Sequence, residues 1–207
     1  AFLTEKMVGM VDIPLLSAPT LKSSLKKQTI TEFDLQKLQA LAASEREDYV
    51  LVVQDPFTTY YDADVVRDLI LTIKKLGYKP VLLPFKPNGK PQHIKGFLDK
   101  FAKTTKSSAQ FLNEMSKLNI PMLGTDPAMV LCYRDEYKQA LGKSRGQFNV
   151  QLFQEWLLPR LKGDAKAIID KQFYLFGHCT EKTAEPTSAN DWAKIFNHYG
   201  AKFSDVA

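Results

Sequence analysis

The chain of 207 residues is long enough for one large domain or two small ones, and its composition is that of an ordinary globular protein, with 44% hydrophobic, 25% charged and 11% aromatic residues. This composition excludes disordered, collagen-like and disulfide-stapled proteins. The formal net charge of +5 is spread along the chain, and no run of about 18 apolar residues is present, so we expect neither a nucleic-acid partner nor a transmembrane segment.

The first 48 residues (1–48) are predicted to form a linker and one helix. Thr31 is the expected N-cap of this helix, because acidic residues follow in the first turn and leucines recur at helical spacing to about residue 44.

An α/β pattern begins at residue 49. The apolar run 49–53 is rich in β-branched residues and predicts a strand that is covered on both faces. Asp62 is a candidate cap for the amphipathic helix that follows, and Gly77 is a typical residue to end it. A second strand from Pro80 completes a strand–helix–strand unit with an expected right-handed crossover.

The remaining elements follow in the same alternation. Asp126 followed by Pro127 is typical of a helix start. The candidate boundary between two halves is the small, basic segment 142–146. In chain order we predict helices at 91–103 and 107–118, a strand at 120–123, helices at 126–141 and 149–161, a strand at 173–176, a helix capped by Ser188, and a strand from 203.

Residues 50–83 and 173–206 share one outline: an apolar strand, a polar loop, an amphipathic helix that ends at a glycine, and a second strand. We therefore predict an α/β fold of two similar βαβ-containing halves, with parallel strands flanked by helices. The first half is assigned to residues 49–146. The second half is assigned to 147–207 and is expected to be truncated.

The two cysteines lie in different surroundings. Cys132 stands among apolar residues of a predicted helix and is expected to be a buried, inert side chain. Cys179 follows a predicted strand, at the sheet edge where ligands of open α/β proteins gather. A thiolate there could bind iron or zinc or act as a nucleophile, and an inert cysteine is the alternative. Two cysteines are too few for a disulfide framework, which indicates a reducing compartment.

No Ser-His-Asp, paired-carboxylate or phosphate-loop pattern is present, so no catalytic and no cofactor-binding residue is assigned. The acidic residues Asp55, Asp62 and Asp64 are interpreted as a strand stop, a helix cap and a charge in a first helical turn.

The segment 49–206 resembles the cysteine-rich "CCG" region of iron–sulfur oxidoreductases, such as the glycolate oxidase iron–sulfur subunit and heterodisulfide reductase. The likeness is carried by Gly-His-Cys-Thr-Glu-Lys-Thr at 177–183 and by Leu-Gly-Thr-Asp-Pro-Ala-Met at 123–129. It is closest to the carboxyl-terminal part of fused FAD-linked dehydrogenases of the D-2-hydroxyglutarate or D-lactate type.

This resemblance implies a parent flavoprotein that oxidises a small 2-hydroxy acid through FAD and passes the electrons to an iron–sulfur (4Fe–4S) cluster. Cys179 matches a cluster ligand, which makes it the predicted metal-binding residue. The rest of the parent flavoprotein is the expected partner. Neither cofactor is expected to bind this part alone. The implied location is cytoplasmic, with a peripheral position at the inner membrane as an alternative.

In the first half the family motifs are replaced. Asp55 is assigned to the place of the strand-end cysteine, residues 87–89 to that of Cys-Cys-Gly, and residues 126–129 to that of Cys-Pro-x-Cys. The resemblance therefore implies a ligand-free structural copy in the first half.

Two other readings stay open. The chain could be a non-catalytic α/β protein-interaction module, which the lack of a full catalytic set favours. Alternatively, Cys179 and His178 could act together in a cysteine-dependent enzyme.

Overall fold

The computed structural model describes Lys6 and residues 14–26, 28, 30–163 and 171–206, so part of the predicted amino-terminal linker lies outside it. The predicted α/β class, with parallel strands flanked by helices, is confirmed. The strands are β1 Tyr49–Val53, β2 Lys79–Leu82, β3 Met122–Gly124, β4 Val150–Gln151, β5 Gln172–Leu175 and β6 Lys202–Asp205. Within the described ranges, no helix combines the length and the apolar character that a bilayer crossing requires.

The helices are mostly short, and three of those in the described residues have 11 or more residues. They are α1 Leu21–Leu25, α2 Leu35–Ala40, α3 Ala43–Arg46, α4 Pro56–Tyr60, α5 Ala63–Lys75, α6 Lys90–Ile94, α7 Leu98–Ser116, α8 Pro127–Arg134, α9 Glu136–Leu141, α10 Phe153–Leu157, α11 Cys179–Ala184 and α12 Ser188–His198. Single 3₁₀ turns span Gly142–Arg145 and Leu158–Arg160.

Four parallel strands form the main sheet in the order β2-β1-β3-β4. Because β2 and β3 lie on opposite sides of β1, the direction of sheet growth reverses between them. The carboxyl ends of β1 and β3 therefore form the topological switch point, where α/β proteins commonly bind ligands.

The main sheet continues past the predicted half boundary at 146, because Val150 of β4 pairs with Met122 of β3. The helix predicted from residue 149 is wrong in its first turn. Val150 is a fully buried, β-branched residue that extends the sheet. The helix starts only at Phe153, where the Glu155 carboxylate accepts a hydrogen bond of 2.8 Å from the Leu152 N–H.

Both faces of β1 are covered, as its continuous apolar sequence predicted. Val50 and Val52 pack in one core with α1, α5 and α10, whereas Leu51 and Val53 pack in a second core with α7, α8 and α9. All four side chains are buried, and the alternation follows the two-residue period of a strand. The central strand is thus fixed by two independent apolar layers.

Local signals located some helix ends and missed others. Asp126 caps α8 by accepting from the Met129 N–H at 2.9 Å, and Gly77 ends α5 with a φ of +89°, as predicted. The predicted cap at Thr31 is wrong, because Thr31 bridges β2 at Val81 and Asp34 caps α2 instead. The helix predicted over 126–141 breaks in two at residue 135. The two helices predicted at 91–103 and 107–118 are present as α6 and α7, but the break between them lies at residues 95–97.

The smaller sheet contains β5 and β6, which pair in parallel. Its unit repeats the β1–β2 unit with a constant shift of 123 residues. Strand partners are 30 residues apart in both units, as in Tyr49 with Lys79 and Gln172 with Lys202. Gly77 and Gly200, also 123 residues apart, both have positive φ. Even the order of helices agrees, a short one followed by a long one.

Backbone hydrogen bonds repeat with the same shift. The Leu83 N–H donates to the Val52 carbonyl at 2.9 Å, and the Val206 N–H donates to the Leu175 carbonyl at 3.0 Å. This shift places Asp55 opposite His178 rather than Cys179, so the correspondence assigned from the sequence is corrected by one residue. Cys179 takes the position of Pro56, the first residue of α4.

Candidate functional site

Cys179 lies beyond the carboxyl end of β5, at the first position of α11, and its side chain is exposed. Two local contacts hold this turn. The Thr180 N–H donates to Nδ1 of His178 at 3.2 Å, and the Thr183 hydroxyl donates to the Cys179 carbonyl at 2.9 Å. The thiol therefore stands at the edge of the sheet where the sequence predicted it, and solvent can reach it.

His178 acts as the N-cap of α11 and does not form a dyad with Cys179. Its Nδ1 accepts a hydrogen bond from the Thr180 N–H at the start of the helix. Among the described residues, no hydrogen bond joins the His178 ring to the Cys179 sulfur. The geometry thus gives no support to a cysteine-dependent enzyme that uses these two residues.

The described part of the chain contains no group of three or more His, Cys, Asp or Glu side chains that could hold a metal ion. An exposed strand-end thiol suits a single thiolate ligand of an iron–sulfur cluster, which takes four. The described residues by themselves therefore do not fit a complete cluster site.

Cys132 is fully buried in α8, and burial raises the pKa of its thiol to about 12. The nearby Glu136 carboxylate raises this pKa further, while Lys90 opposes it. Cys132 is accordingly a neutral thiol at ordinary pH, and its predicted burial is confirmed.

A network of buried polar groups centres on Asp55 at the switch point. Its carboxylate accepts from the N–H groups of Phe57 and Thr58, both at 2.8 Å, and from the Thr125 hydroxyl at 2.9 Å. The Thr58 hydroxyl donates to it as well. These bonds join the carboxyl end of β1 to the start of α4 and to the loop after β3.

Asn88 links the loop after β2 to the same region. Its side-chain amide donates to the Met129 carbonyl at 3.1 Å, and the Tyr137 hydroxyl donates to the Asn88 carbonyl at 2.7 Å. Together with the Asp126 cap, these contacts show that the three segments singled out by the family resemblance converge at one edge of the sheet. Their polar groups are joined by hydrogen bonds within the chain.

Sequence reasoning did not identify Thr58, Thr125 or Tyr137 as members of this region. Thr125 directly precedes the Asp-Pro helix start and follows β3, which was a usable signal. Tyr137 offered none, because only the tertiary fold brings its hydroxyl to Asn88.

The helix that carries Cys179 is attached to the main sheet by a buried polar junction. Gln154 donates to the Glu181 carboxylate and to the Ser188 hydroxyl, both at 2.7 Å, and Ser188 in turn donates to Glu181. At the edge of this junction Arg134 pairs with Glu155 at 2.5 Å and with Glu185 at 3.1 Å.

The chain is similar to proteins named D-2-hydroxyglutarate dehydrogenase. It is 54% identical over 206 residues to the Escherichia coli K12 protein, covering 99% of this chain and 20% of that relative. It is 52% identical to the Pantoea ananatis protein over 200 residues, with shares of 96% and 20%, and 37% identical to the Pseudomonas putida KT2440 protein over 195 residues, with shares of 94% and 19%.

No family model matches the chain, and no solved structure matches it. The comparisons agree with the predicted relation to 2-hydroxy-acid dehydrogenases, whereas they do not identify a CCG region. The chain spans about one fifth of the length of the curated relatives that it matches.

Proposed function

We propose that this chain is one part of an oxidoreductase that oxidises D-2-hydroxyglutarate, or a close 2-hydroxy acid, to the 2-oxo acid. The observation that carries the proposal is the identity of 37% to 54% with D-2-hydroxyglutarate dehydrogenases over 94% or more of the chain. Similarity that extends over both sheets favours a shared role for this whole region.

The reaction removes two electrons and two protons from the substrate as its hydroxyl-bearing carbon becomes a ketone. In the parent protein, FAD would accept the electron pair as a hydride, and an iron–sulfur cluster would pass the electrons on one at a time. The described residues hold no catalytic set for the first step. This region would therefore support electron transfer, while the substrate and flavin sites lie elsewhere in the parent.

Cys179 is the residue of this chain that we propose as a metal ligand. Its thiol is exposed and follows a parallel strand, whereas Cys132 is buried and retains its proton. The hydrogen bonds of Thr180 and Thr183 to the turn fix the backbone beside the sulfur. Cys179 would supply one thiolate, and the remaining ligands would come from outside this chain.

The test uses the full-length protein, purified anaerobically, with iron and acid-labile sulfide measured beside D-2-hydroxyglutarate-dependent reduction of a dye. We expect Cys179→Ser to lose iron and dye reduction, and Cys132→Ala, the matched control, to retain both. Bleaching of the flavin by substrate reports the first step separately from electron transfer.

Two outcomes would contradict different parts of the proposal. If D-2-hydroxyglutarate and related 2-hydroxy acids do not reduce the flavin of the full-length protein, the assigned reaction is wrong. Normal iron and sulfide in Cys179→Ser would leave the reaction intact and remove Cys179 as a ligand.

A further inference from the structure

The β5–β6 sheet is covered on one face and open on the other. On the covered face, Phe196 of α12 packs against Phe173 and Phe203, with ring centroids 4.9 and 5.1 Å apart. On the open side, Tyr174 is 63% exposed and Phe176, directly after β5, is 78% exposed. Parallel sheets in globular proteins are normally covered on both faces.

The internal repeat shows what covers the equivalent face of the main sheet. With the shift of 123 residues, Tyr174 and Phe176 correspond to Leu51 and Val53, which are 0% and 7% exposed. Leu51 and Val53 belong to the core that contains Phe101, Leu112 and Met115 of α7. The face that α7 closes in the first unit is thus the face left open in the second.

The backbone hydrogen bonds show that the edges of β5 correspond to those of β1. One edge of β1 pairs with β2, and on the other edge the Leu51 N–H donates to the Pro121 carbonyl at 2.8 Å, beside β3. β6 occupies the β5 edge that corresponds to the β2 side, as the matching hydrogen bonds show. No described strand pairs with the other edge of β5, where the Tyr174 N–H is the counterpart of the Leu51 N–H.

We propose that a helix and a strand from polypeptide of the same protein beyond residue 207 complete this second sheet. The helix packs on Tyr174 and Phe176, and the strand joins the open edge of β5 in parallel, giving the order β6-β5-new strand. The chain covers about one fifth of the length of its relatives, so they contain further polypeptide that is long enough to supply both elements. In the first unit, α7 and β3 are formed by the residues that follow β2. Because β6 corresponds to β2, the equivalent helix and strand of the second unit would follow β6.

Amide hydrogen exchange compares this chain with the full-length protein. In the 207-residue chain we expect the amides of Tyr174 and Phe176 to exchange rapidly. In the full-length protein we expect both to be protected at least about 100-fold more strongly. The amides of Phe203 and Asp205, on the outer edge of β6, are expected to exchange rapidly in both proteins.

Two proline substitutions distinguish the open edge of β5 from the outer edge of β6. Tyr174→Pro removes the N–H that points away from β6, so the 207-residue chain tolerates it, whereas protection at Phe176 in the full-length protein is lost. Asp205→Pro removes an N–H on the outer edge of β6 and leaves protection at Phe176 intact.

Protection of Phe203 and Asp205, without protection at Tyr174, would overturn the strand order. An exposed β5 edge in the folded full-length protein would overturn the proposal as a whole. Neither result depends on iron content or dehydrogenase activity, so this test stands apart from that of the proposed function.

Discussion

At the scale of single residues, burial separates the two cysteines more sharply than their sequence contexts do. Cys132 is fully buried with a pKa raised to about 12, whereas Cys179 is exposed at a helix start. Because the thiolate is the reactive form, we expect iodoacetamide at pH 8 to alkylate Cys179 and to spare Cys132 while the protein is folded. Peptide mass spectrometry measures both sites. Equal labelling of the two thiols would contradict the burial of Cys132.

The same burial predicts a loss of stability at alkaline pH. A thiol whose pKa is higher in the folded than in the unfolded state contributes stability that is complete below the unfolded pKa, near 9, and is lost as pH rises toward 12. Burial also raises the pKa of Tyr133 and Tyr137, so these groups act in the same direction at higher pH.

We therefore expect the free energy of unfolding in urea to decrease from pH 9 to pH 10.5, and Cys132→Ala to reduce this slope by up to about 1.4 kcal/mol per pH unit. Cys179→Ala serves as the control and should keep the wild-type slope. A slope unchanged by Cys132→Ala would show that this thiol ionises equally well in both states.

At the scale of elements, the repeat pairs two helix caps of unequal strength. Asp55 is buried and accepts hydrogen bonds from Phe57, Thr58 and Thr125, whereas His178 accepts a single bond of 3.2 Å from Thr180 at the surface. We expect Asp55→Ala to lower the free energy of unfolding by about 3 kcal/mol. The N–H groups at the start of α4 and the buried hydroxyl donor would lose the same acceptor together.

The equivalent change in the second unit, His178→Ala, should cost less than about 1 kcal/mol. Chemical denaturation of both variants measures the difference. Similar losses at the two positions would mean that the buried network around Asp55 adds nothing beyond a simple cap.

The sequence correctly predicted those features of the helices and strands that depend on neighbouring residues. The Asp126 cap, the Gly77 helix end and the two-sided burial of β1 all follow from short-range signals. β4 was missed because two residues carry no strand period, and its pairing with β3 is a tertiary contact. The sequence aligned Asp55 with Cys179 instead of His178 for a similar reason. The register between the two repeats is fixed by backbone hydrogen bonds, which are tertiary contacts that the sequence does not show.

At the scale of the whole molecule, the position of the Cys179 helix depends on how the second unit is attached to the first. An apolar contact contributes, because Ile195 of α12 lies in the core with Trp156 of α10. Beside it, the buried Glu181 carboxylate accepts from both Gln154 and Ser188. Removing this carboxylate leaves two buried donors without an acceptor, which costs about 2–4 kcal/mol.

We therefore expect Glu181→Ala to increase amide exchange in α11 and α12 while β1 and β3 stay protected, because the core around Leu51 does not involve the junction. Glu181→Gln is the matched control: both bonds go to Oε1 of Glu181, and the uncharged amide carbonyl of glutamine can accept in its place, so it should show a smaller increase. If exchange rose equally in both sheets of Glu181→Ala, the two units would unfold as one. The junction would then be part of a single cooperative core rather than a separable attachment that orients the Cys179 turn.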